Sequence, residues 1–368
     1  MNLEYSAEQT ALAETVRGFL ADKAGADHAR QYLDDPRGGT GPVWQGLAGL
    51  GATGLLVAPE NGGTGATMVE AGIVAEALGS AVYPGPWLSC AAAARALARF
   101  GLEDRAAELL AGIAGGSTIA TVGPLTGPGP VATGAGQEVL LRGEIDGLTD
   151  AGAADVVLVL SPESCGWDLY STPAARLQLS AVPAIDLTRK AFRANFDDVP
   201  GQRLGTAGDE AVAALRDDVL ALAAADALGA AQALLEMTIE YAKNRCQFGR
   251  PIGSFQAVQQ LCVDMFQTVE LGRGGVLRAL WAADEADDTG RRMAAARIKA
   301  FGARLAGVGD TAIQVFGGIG YTWEHDAHLY LRRLLGFSGF LGSGEPYAEQ
   351  VGAALVAGCR TERSGALG

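Results

Sequence analysis

Tyr241–Gln256 reads YAKNRCQFGRPIGSFQ, and what bounds this stretch decides the fold. Upstream, from Asp209, the residues Leu215, Val219, Leu222, Leu228, Ala231, Leu235 and Ile239 recur at helical spacing and make one wide apolar face. The spacing predicts a helix that runs unbroken to the Gly249–Pro251 break, because proline ends or kinks what precedes it. A second helix starts near Ser254 and carries Phe255, Val258, Leu261, Cys262, Met265 and Val269. Arg245, Gln247 and Phe248 therefore stand at a corner between two long helices, at the end of a bundle where a ligand can reach them. The planar fork of Arg245 suits a phosphate, since it donates two parallel hydrogen bonds to an oxyanion pair. Taken alone, such an arginine is more commonly a surface ion pair.

A second stretch changes that balance. Gln314–Gly320 reads QVFGGIG and continues as YTWEHDAHLYLRR to Arg333. A helix carrying Ile298, Phe301, Leu305 and Val308 runs into the glycine pair, where a backbone or a ligand can approach closely. By itself this is a helix C-cap and turn. The pairing of RCQFGRPIGSFQ with QVFGGIGYTWEH, about sixty residues apart, resembles the C-terminal domain of the acyl-CoA dehydrogenase family. The resemblance implies FAD as cofactor. It implies that Arg245, Gln247, Phe248, Phe255 and Gln256 belong to the cofactor site, with the arginine on the pyrophosphate. It implies that Gln314, Gly317 and Gly318 contribute to the dinucleotide bound by a neighbouring subunit.

Composition narrows the class. At 368 residues the chain is long for one core, and 49% hydrophobic residues allow folding without metal or disulfide support. A net charge of −14 argues against nucleic acid, which needs a basic stripe, so any anionic ligand must be held by local donors. No apolar run reads as long enough to span a bilayer, and MNLEYSAEQT has neither the charged nor the apolar region of a signal peptide. The five cysteines (Cys90, Cys165, Cys246, Cys262, Cys359) are scattered with no CxxC pair, so no structural zinc or disulfide framework is expected. The expectation is a cytoplasmic chain outside the membrane.

Residues 1–112 read as an N-terminal helical domain. Ser6 begins a helix lined by Ala11, Leu12, Val16 and Leu20, and Trp44, Leu47 and Leu50 make a short second one. GLLVAPENGGTG (Gly54–Gly65) lacks the Gly-Lys-Ser/Thr of a P-loop and reads as a turn between helices; it also resembles the glycine turn of the family's N-terminal domain. Helices follow at Met68–Leu78, Leu88–Phe100 and Asp104–Ala114. Residues 113–205 change pattern: Glu138–Arg142, Asp155–Leu160, Trp167–Tyr170 and Ala191–Phe196 are short, β-branched or alternating, and parted by Gly, Pro, Asp and Ser. The resemblance makes this middle domain a β-barrel covering the flavin ring, although TIATVGPLTGPGP (Thr118–Pro130) stands where the family carries a Thr-Glu-Pro motif. Residues 206–368 are helical again, at Asp209–Arg245, Ser254–Glu285, Gly290–Phe316, His328–Phe340 and Tyr347–Ala357, and make a C-terminal helical bundle. The fold class expected is α+β, mainly α.

The resemblance implies α,β-desaturation of an acyl-CoA thioester. The flavin takes a hydride, and the protein positions the substrate, polarises its carbonyl and supplies a base. In the family the base is a Glu after the helix that follows the glycine pair; that place falls on Leu341. Some members carry it on the long helix ahead of the arginine motif, and that place falls on Val219. Neither side chain accepts a proton. Asp217, Asp218 and Glu345 lie nearby as displaced candidates; the first two read as a solvated face or a complement to the helix dipole, Glu345 as the start of the last helix. His325 and His328, with Glu324 and Asp326, read as capping and ion pairing with Arg332 and Arg333; no metal is expected. The TWEHDAHLYLRR wording resembles bacterial members that work as pairs of unlike subunits, one lacking the Glu. Three readings follow: a subunit beside a homologous partner that supplies the base, a self-sufficient dehydrogenase or oxidase with a displaced base, and a flavin-free interaction protein. An electron-accepting flavoprotein is the expected redox partner of the dehydrogenase.

Overall fold

A computed structural model describes residues 4–100, 104–134 and 136–365. The first group of helices is α1 (Ala7–Lys23), α2 (Ala26–Gln31), α3 (Pro42–Gly49), α4 (Met68–Ser80), α5 (Trp87–Arg99) and α6 (Asp104–Ala114). Ser6 caps α1 as its sequence predicts: its hydroxyl accepts from the Gln9 amide at 3.2 Å while the Gln9 side chain accepts from the Ser6 amide at 2.9 Å. The glycine-rich stretch after α3 is a tight turn with a short 3-10 helix at Pro59–Asn61.

Seven strands follow: β1 (Ala120–Gly123), β2 (Val131–Thr133), β3 (Glu138–Thr149), β4 (Val156–Glu163), β5 (Gly166–Pro173), β6 (Gln178–Val182) and β7 (Ala191–Ala207). They pair in the order β1-β4-β5-β7-β3-β2, with β6 also on β7. β1 runs parallel to β4 and the other pairs are antiparallel. The expected barrel is therefore a correction: β1 and β2 are the two ends of the pairing order and do not pair, so the sheet stays unclosed. β1, β2 and β6 also escape the sequence pattern, being three to five residues long, below the length at which alternation registers. Alternate residues of β3 and β7, among them Leu141, Ile145, Phe192 and Phe196, bury a separate core on one face.

The second group of helices is α7 (Asp209–Asn244), α8 (Gln256–Glu285), α9 (Asp288–Ala300), α10 (Gly302–Phe316), α11 (Ala327–Gly339) and α12 (Gly344–Gly365). What reads as one helix from Gly290 to Phe316 is two, breaking at Phe301, where a Cβ on Gly302 would lie 3.1 Å from the Phe337 ring. α7 is the axis of the molecule. It packs on α4, α5, α8, α9, α10 and α11, and every residue from Asp217 to Ala231 is buried, so the single apolar face expected of it is an all-round one. By length and composition this helix could cross a membrane, against the reading that no run is long enough; 89% of its most apolar window is buried inside the protein, which is how a core helix behaves.

Two glycines explain how α4 approaches α7. A Cβ on Gly79 would lie 1.8 Å from the Asp226 carbonyl oxygen, and one on Gly229 would lie 1.9 Å from that of Glu76. The helices cross backbone to backbone, and Asp226 is fixed at the crossing.

Candidate functional site

The residues of the first motif gather at the C-terminal end of α7. Arg245 caps that helix, donating its amide to the Tyr241 carbonyl at 2.8 Å and accepting from the Ile252 amide at 2.8 Å. Cys246–Gln247 and Arg250–Pro251 form a two-residue hairpin, turned by Phe248 (φ 51°) and Gly249 (φ 78°). Left-handed backbone at both turn positions is what such a short hairpin demands, and for an aromatic residue it costs about 1–2 kcal/mol. Phe248 is nonetheless 92% exposed, touching Phe255 edge-on at 6.1 Å between ring centroids. A strained aromatic held out into solvent is a mark of a contact surface.

The second motif lies beside it. The Tyr241 hydroxyl donates to the Phe316 carbonyl at 3.4 Å, and the two rings stand 4.9 Å apart. Phe316 directly precedes Gly317 and Gly318, around which a Cβ would meet nothing within 4 Å. Gln247, Gln256 and Gln314 are exposed, Phe255 is half-buried, and no carboxylate pairs with the exposed Arg245 guanidinium among the described residues. Open backbone and an uncommitted guanidinium fit a phosphate-bearing ligand. Trp323 and Tyr321 extend the same surface, both exposed.

A cavity of about 350 Å³ lies elsewhere, enclosed by α5, α7, α11, β1 and the turns at either end of the sheet. Val219 and Ala223 on α7, Phe337 and Phe340 at the end of α11, and Val122 and Leu125 after β1 make most of its wall apolar. The stretch standing in place of the Thr-Glu-Pro motif thus does line it. Leu341 lines a smaller adjoining cavity that shares Phe340, Leu125 and Thr149 with the first. Val219 and Leu341, far apart in sequence, thus stand on adjoining cavities. The turn bearing Leu341 (φ 55°) is held by Lys299, whose buried Nζ donates to the Phe337 and Ser338 carbonyls at 2.7 and 3.0 Å, and by Tyr347, whose hydroxyl donates to the Leu341 carbonyl at 3.0 Å.

The displaced carboxylates are not in the cavity wall. Asp217 pairs with Arg291 of α9 at 3.3 Å, and burial pushes its pKa up to about 6 against the pull of that arginine. Asp218 is fully buried and binds Arg95 and Arg99 of α5 at 2.8 Å each. Neither forms a solvated face, contrary to the sequence reading: both tie α7 to neighbouring helices. Glu345 is exposed in the first turn of α12. His325 Nδ1 accepts from the Ala327 amide at 3.1 Å at the start of α11, in keeping with the capping expected, but among the described residues the ion pairs differ: Asp326 pairs with Arg30 at 2.7 Å, Arg333 with Asp186 and Asp226, and Arg332 lies over Trp323. Among the described residues no cluster of His, Cys, Asp or Glu is set to hold a metal.

What sequence reasoning missed is the cavity's charged wall. Arg333 donates through Nη1 to both oxygens of Asp226 at 2.9 Å, through Nη2 to Thr188 Oγ1 at 2.6 Å and to the Tyr83 carbonyl at 3.1 Å, and its Nε lies 2.7 Å from Asp186 Oδ2. Arg189 reaches the same Asp226 at 2.6 Å. Asp150, left-handed at φ 52°, accepts from Ser89 Oγ at 2.6 Å, and burial raises its pKa while Arg189 pulls it down. Single charges separated by tens of residues carry no local pattern, so nothing in the sequence marks them as one cluster.

Comparison with known proteins places these features. Residues 6–117 match the acyl-CoA dehydrogenase N-terminal domain and residues 220–356 the acyl-CoA dehydrogenase C-terminal domain. Acyl-CoA dehydrogenase FadE34 of Mycobacterium tuberculosis is 35% identical over 96% of this chain; the chain spans 48% of that relative's length. Acyl-CoA dehydrogenase IpdE2 of the same organism is 32% identical over 91% of this chain and 93% of its own. The ChsE4–ChsE5 complex from M. tuberculosis contains a chain that superposes with a TM-score of 0.88 at 25% identity, covering 97% of this chain and 99% of that one.

Proposed function

This chain belongs to the acyl-CoA dehydrogenase family, and on that premise we propose that it is one subunit of an FAD-dependent enzyme that desaturates an acyl-CoA thioester, beside a homologous subunit that supplies the base. We divide it at residues 112 and 205 into three domains and place it in the cytoplasm, handing electrons to an electron-transferring flavoprotein. The observation that carries the reading is the convergence of Val219 and Leu341 on adjoining cavities with no proton acceptor at either position. Bound FAD supplies the hydride acceptor. Arg245, Gln247, Phe248, Phe255 and Gln256, with Gln314, Gly317 and Gly318, are the residues assigned to hold it. Arg245 lies about 39 Å from Val219 along the axis of α7, at 1.5 Å per residue, a distance longer than an extended FAD. Its guanidinium therefore serves a dinucleotide whose ring lies against a different chain, which favours an oligomer with shared sites.

The test is flavin reduction. The chain alone, given acyl-CoA thioesters, is expected not to bleach its flavin, and adding the partner subunit is expected to restore bleaching. Glu→Gln at the partner's base is expected to abolish it, since losing a general base costs a factor of ~10²–10⁴. Leu341→Glu in this chain is expected to confer bleaching without the partner. Rapid bleaching by the unaltered chain alone would refute the partner reading. One observation favours a second reading in that event: Asp150 is a buried carboxylate in the cavity wall. Asp150→Asn would then remove the bleaching, whereas in the partner reading it leaves the complex's chemical step within a few-fold.

A further inference from the structure

The cavity has two unlike ends. Val219 and Phe340 stand at one, Asp226 and Arg333 at the other, and along both α7 and α11 the ends are about 10 Å apart at 1.5 Å per residue. Between them the wall is apolar. At the far end both terminal nitrogens of Arg333 are committed, to Asp226, Thr188 and the Tyr83 carbonyl, its Nε lies 2.7 Å from Asp186 Oδ2 in an ion pair without hydrogen-bond geometry, and it is 2% exposed. Arg189 is less committed. It gives Nη2 to Asp226 at 2.6 Å and Nη1 weakly to the Gly85 carbonyl at 3.4 Å, its Nε meets no acceptor among the described residues, and its side chain is partly exposed. A guanidinium carries five N–H donors, so several remain uncommitted on a side chain that lines an apolar cavity. Leaving such donors unpaired against apolar ligand surface is unfavourable; meeting them with an acceptor is not.

The sign of the charge decides which acceptor. Arg189, Arg333 and Lys190 face Asp150, Asp186 and Asp226, so the charged groups of this wall balance. Lys190 is itself satisfied by the Leu33 and Leu187 carbonyls at 2.6 and 2.9 Å. A carboxylate brought here would be one uncompensated buried charge, whereas a ketone adds none.

We propose that this cavity is a binding site for an acyl group bearing a neutral carbonyl oxygen at its distal end, with Arg189 as the residue that selects it. The site binds irrespective of which subunit carries the base. It rests on the reading above only in that the group arrives as a CoA thioester.

The test measures the affinity of the full chain, by titration calorimetry, for 5-oxohexanoyl-, 7-oxooctanoyl- and 9-oxodecanoyl-CoA, each against its parent without the ketone, and for the monothioester of octanedioic acid. At the matching length the oxo compound is expected to bind about 10–100-fold tighter than its parent, the yield of a hydrogen bond to a charged donor. Arg189→Met is expected to erase that ratio, bringing oxo and parent compounds to equal affinity, and Arg189→Lys, which keeps the charge beside Asp226, to reduce it. If Arg189→Met does not fold, the ratio in the unaltered chain and in Arg189→Lys decides. Equal binding of oxo and parent compounds at every length would overturn the proposal and leave the acyl-CoA reading standing. Preference for the dicarboxylic thioester would overturn the neutral acceptor. Failure of every thioester to bind would overturn the acyl-CoA reading and the proposal with it.

Discussion

Asp217 shows how far a single residue's meaning depends on burial. In sequence it is an acid in the first half of a helix; in the fold it is a carboxylate pushed up to about 6 by desolvation, beside Arg291. Its folded pKa lies above the unfolded value of 3.8, so the folded state holds the proton more tightly. The stability this group contributes is present at low pH and is lost as pH rises from about 3.8 to about 6. Replacing it with Asn removes that dependence. The stability of Asp217→Asn relative to the parent is expected to rise by on the order of 2–3 kcal/mol between pH 4 and pH 7, read from urea midpoints at each pH. A flat difference across that range would show that the Arg291 pair holds the carboxylate ionised throughout.

At the scale of elements, the crossing of α4 and α7 is a backbone contact that fixes one residue of the cavity wall. Gly79 and Gly229 bring the two backbones together, and Asp226, one end of the cavity, sits in that contact. Gly229→Ala would place a methyl 1.9 Å from a carbonyl oxygen with no flexible side chain to yield. Helix propensity favours Ala over Gly by about 1 kcal/mol, but separating two packed helices costs more, roughly 1–3 kcal/mol or above. Net destabilisation is expected, seen as a lower denaturation midpoint. Gly307, also on a helix and with nothing within 4 Å of its Cβ position, is the control: Gly307→Ala is expected to be neutral or stabilising. If Gly229→Ala behaves like the control, the crossing is looser than the backbone contact implies.

Across the whole molecule, two sites lie at distant points of one axial helix: an open surface near Arg245 and a largely apolar cavity from Val219 to Asp226. Under the proposed assignment of both to FAD, one chain does not bring them to a single dinucleotide, and loss of Arg245 is expected to act on flavin bound across a subunit boundary. Arg245→Ala is expected to lower FAD retention by on the order of 1.5–3 kcal/mol, the worth of a charge-assisted pair to a phosphate. Flavin absorbance after gel filtration of the assembled oligomer reads it. Unchanged flavin content would remove Arg245 from the site.

Much of this was legible in the chain itself. The order of helices, sheet and helices and the corner between α7 and α8 follow from periodicity and turn residues, because each is written within one window of sequence. The unclosed sheet was not, since the ends of a sheet depend on which strands meet, and β1, β2 and β6 are too short to announce themselves. Nor was the charged end of the cavity. Asp150, Asp186, Arg189, Asp226 and Arg333 come from a strand end, a loop and two helices, and each alone reads as a solvated charge. Only the packing of α5, α7 and α11 around the β6–β7 loop brings them together and takes water from most of them, and with Lys190 they make one wall whose charges balance.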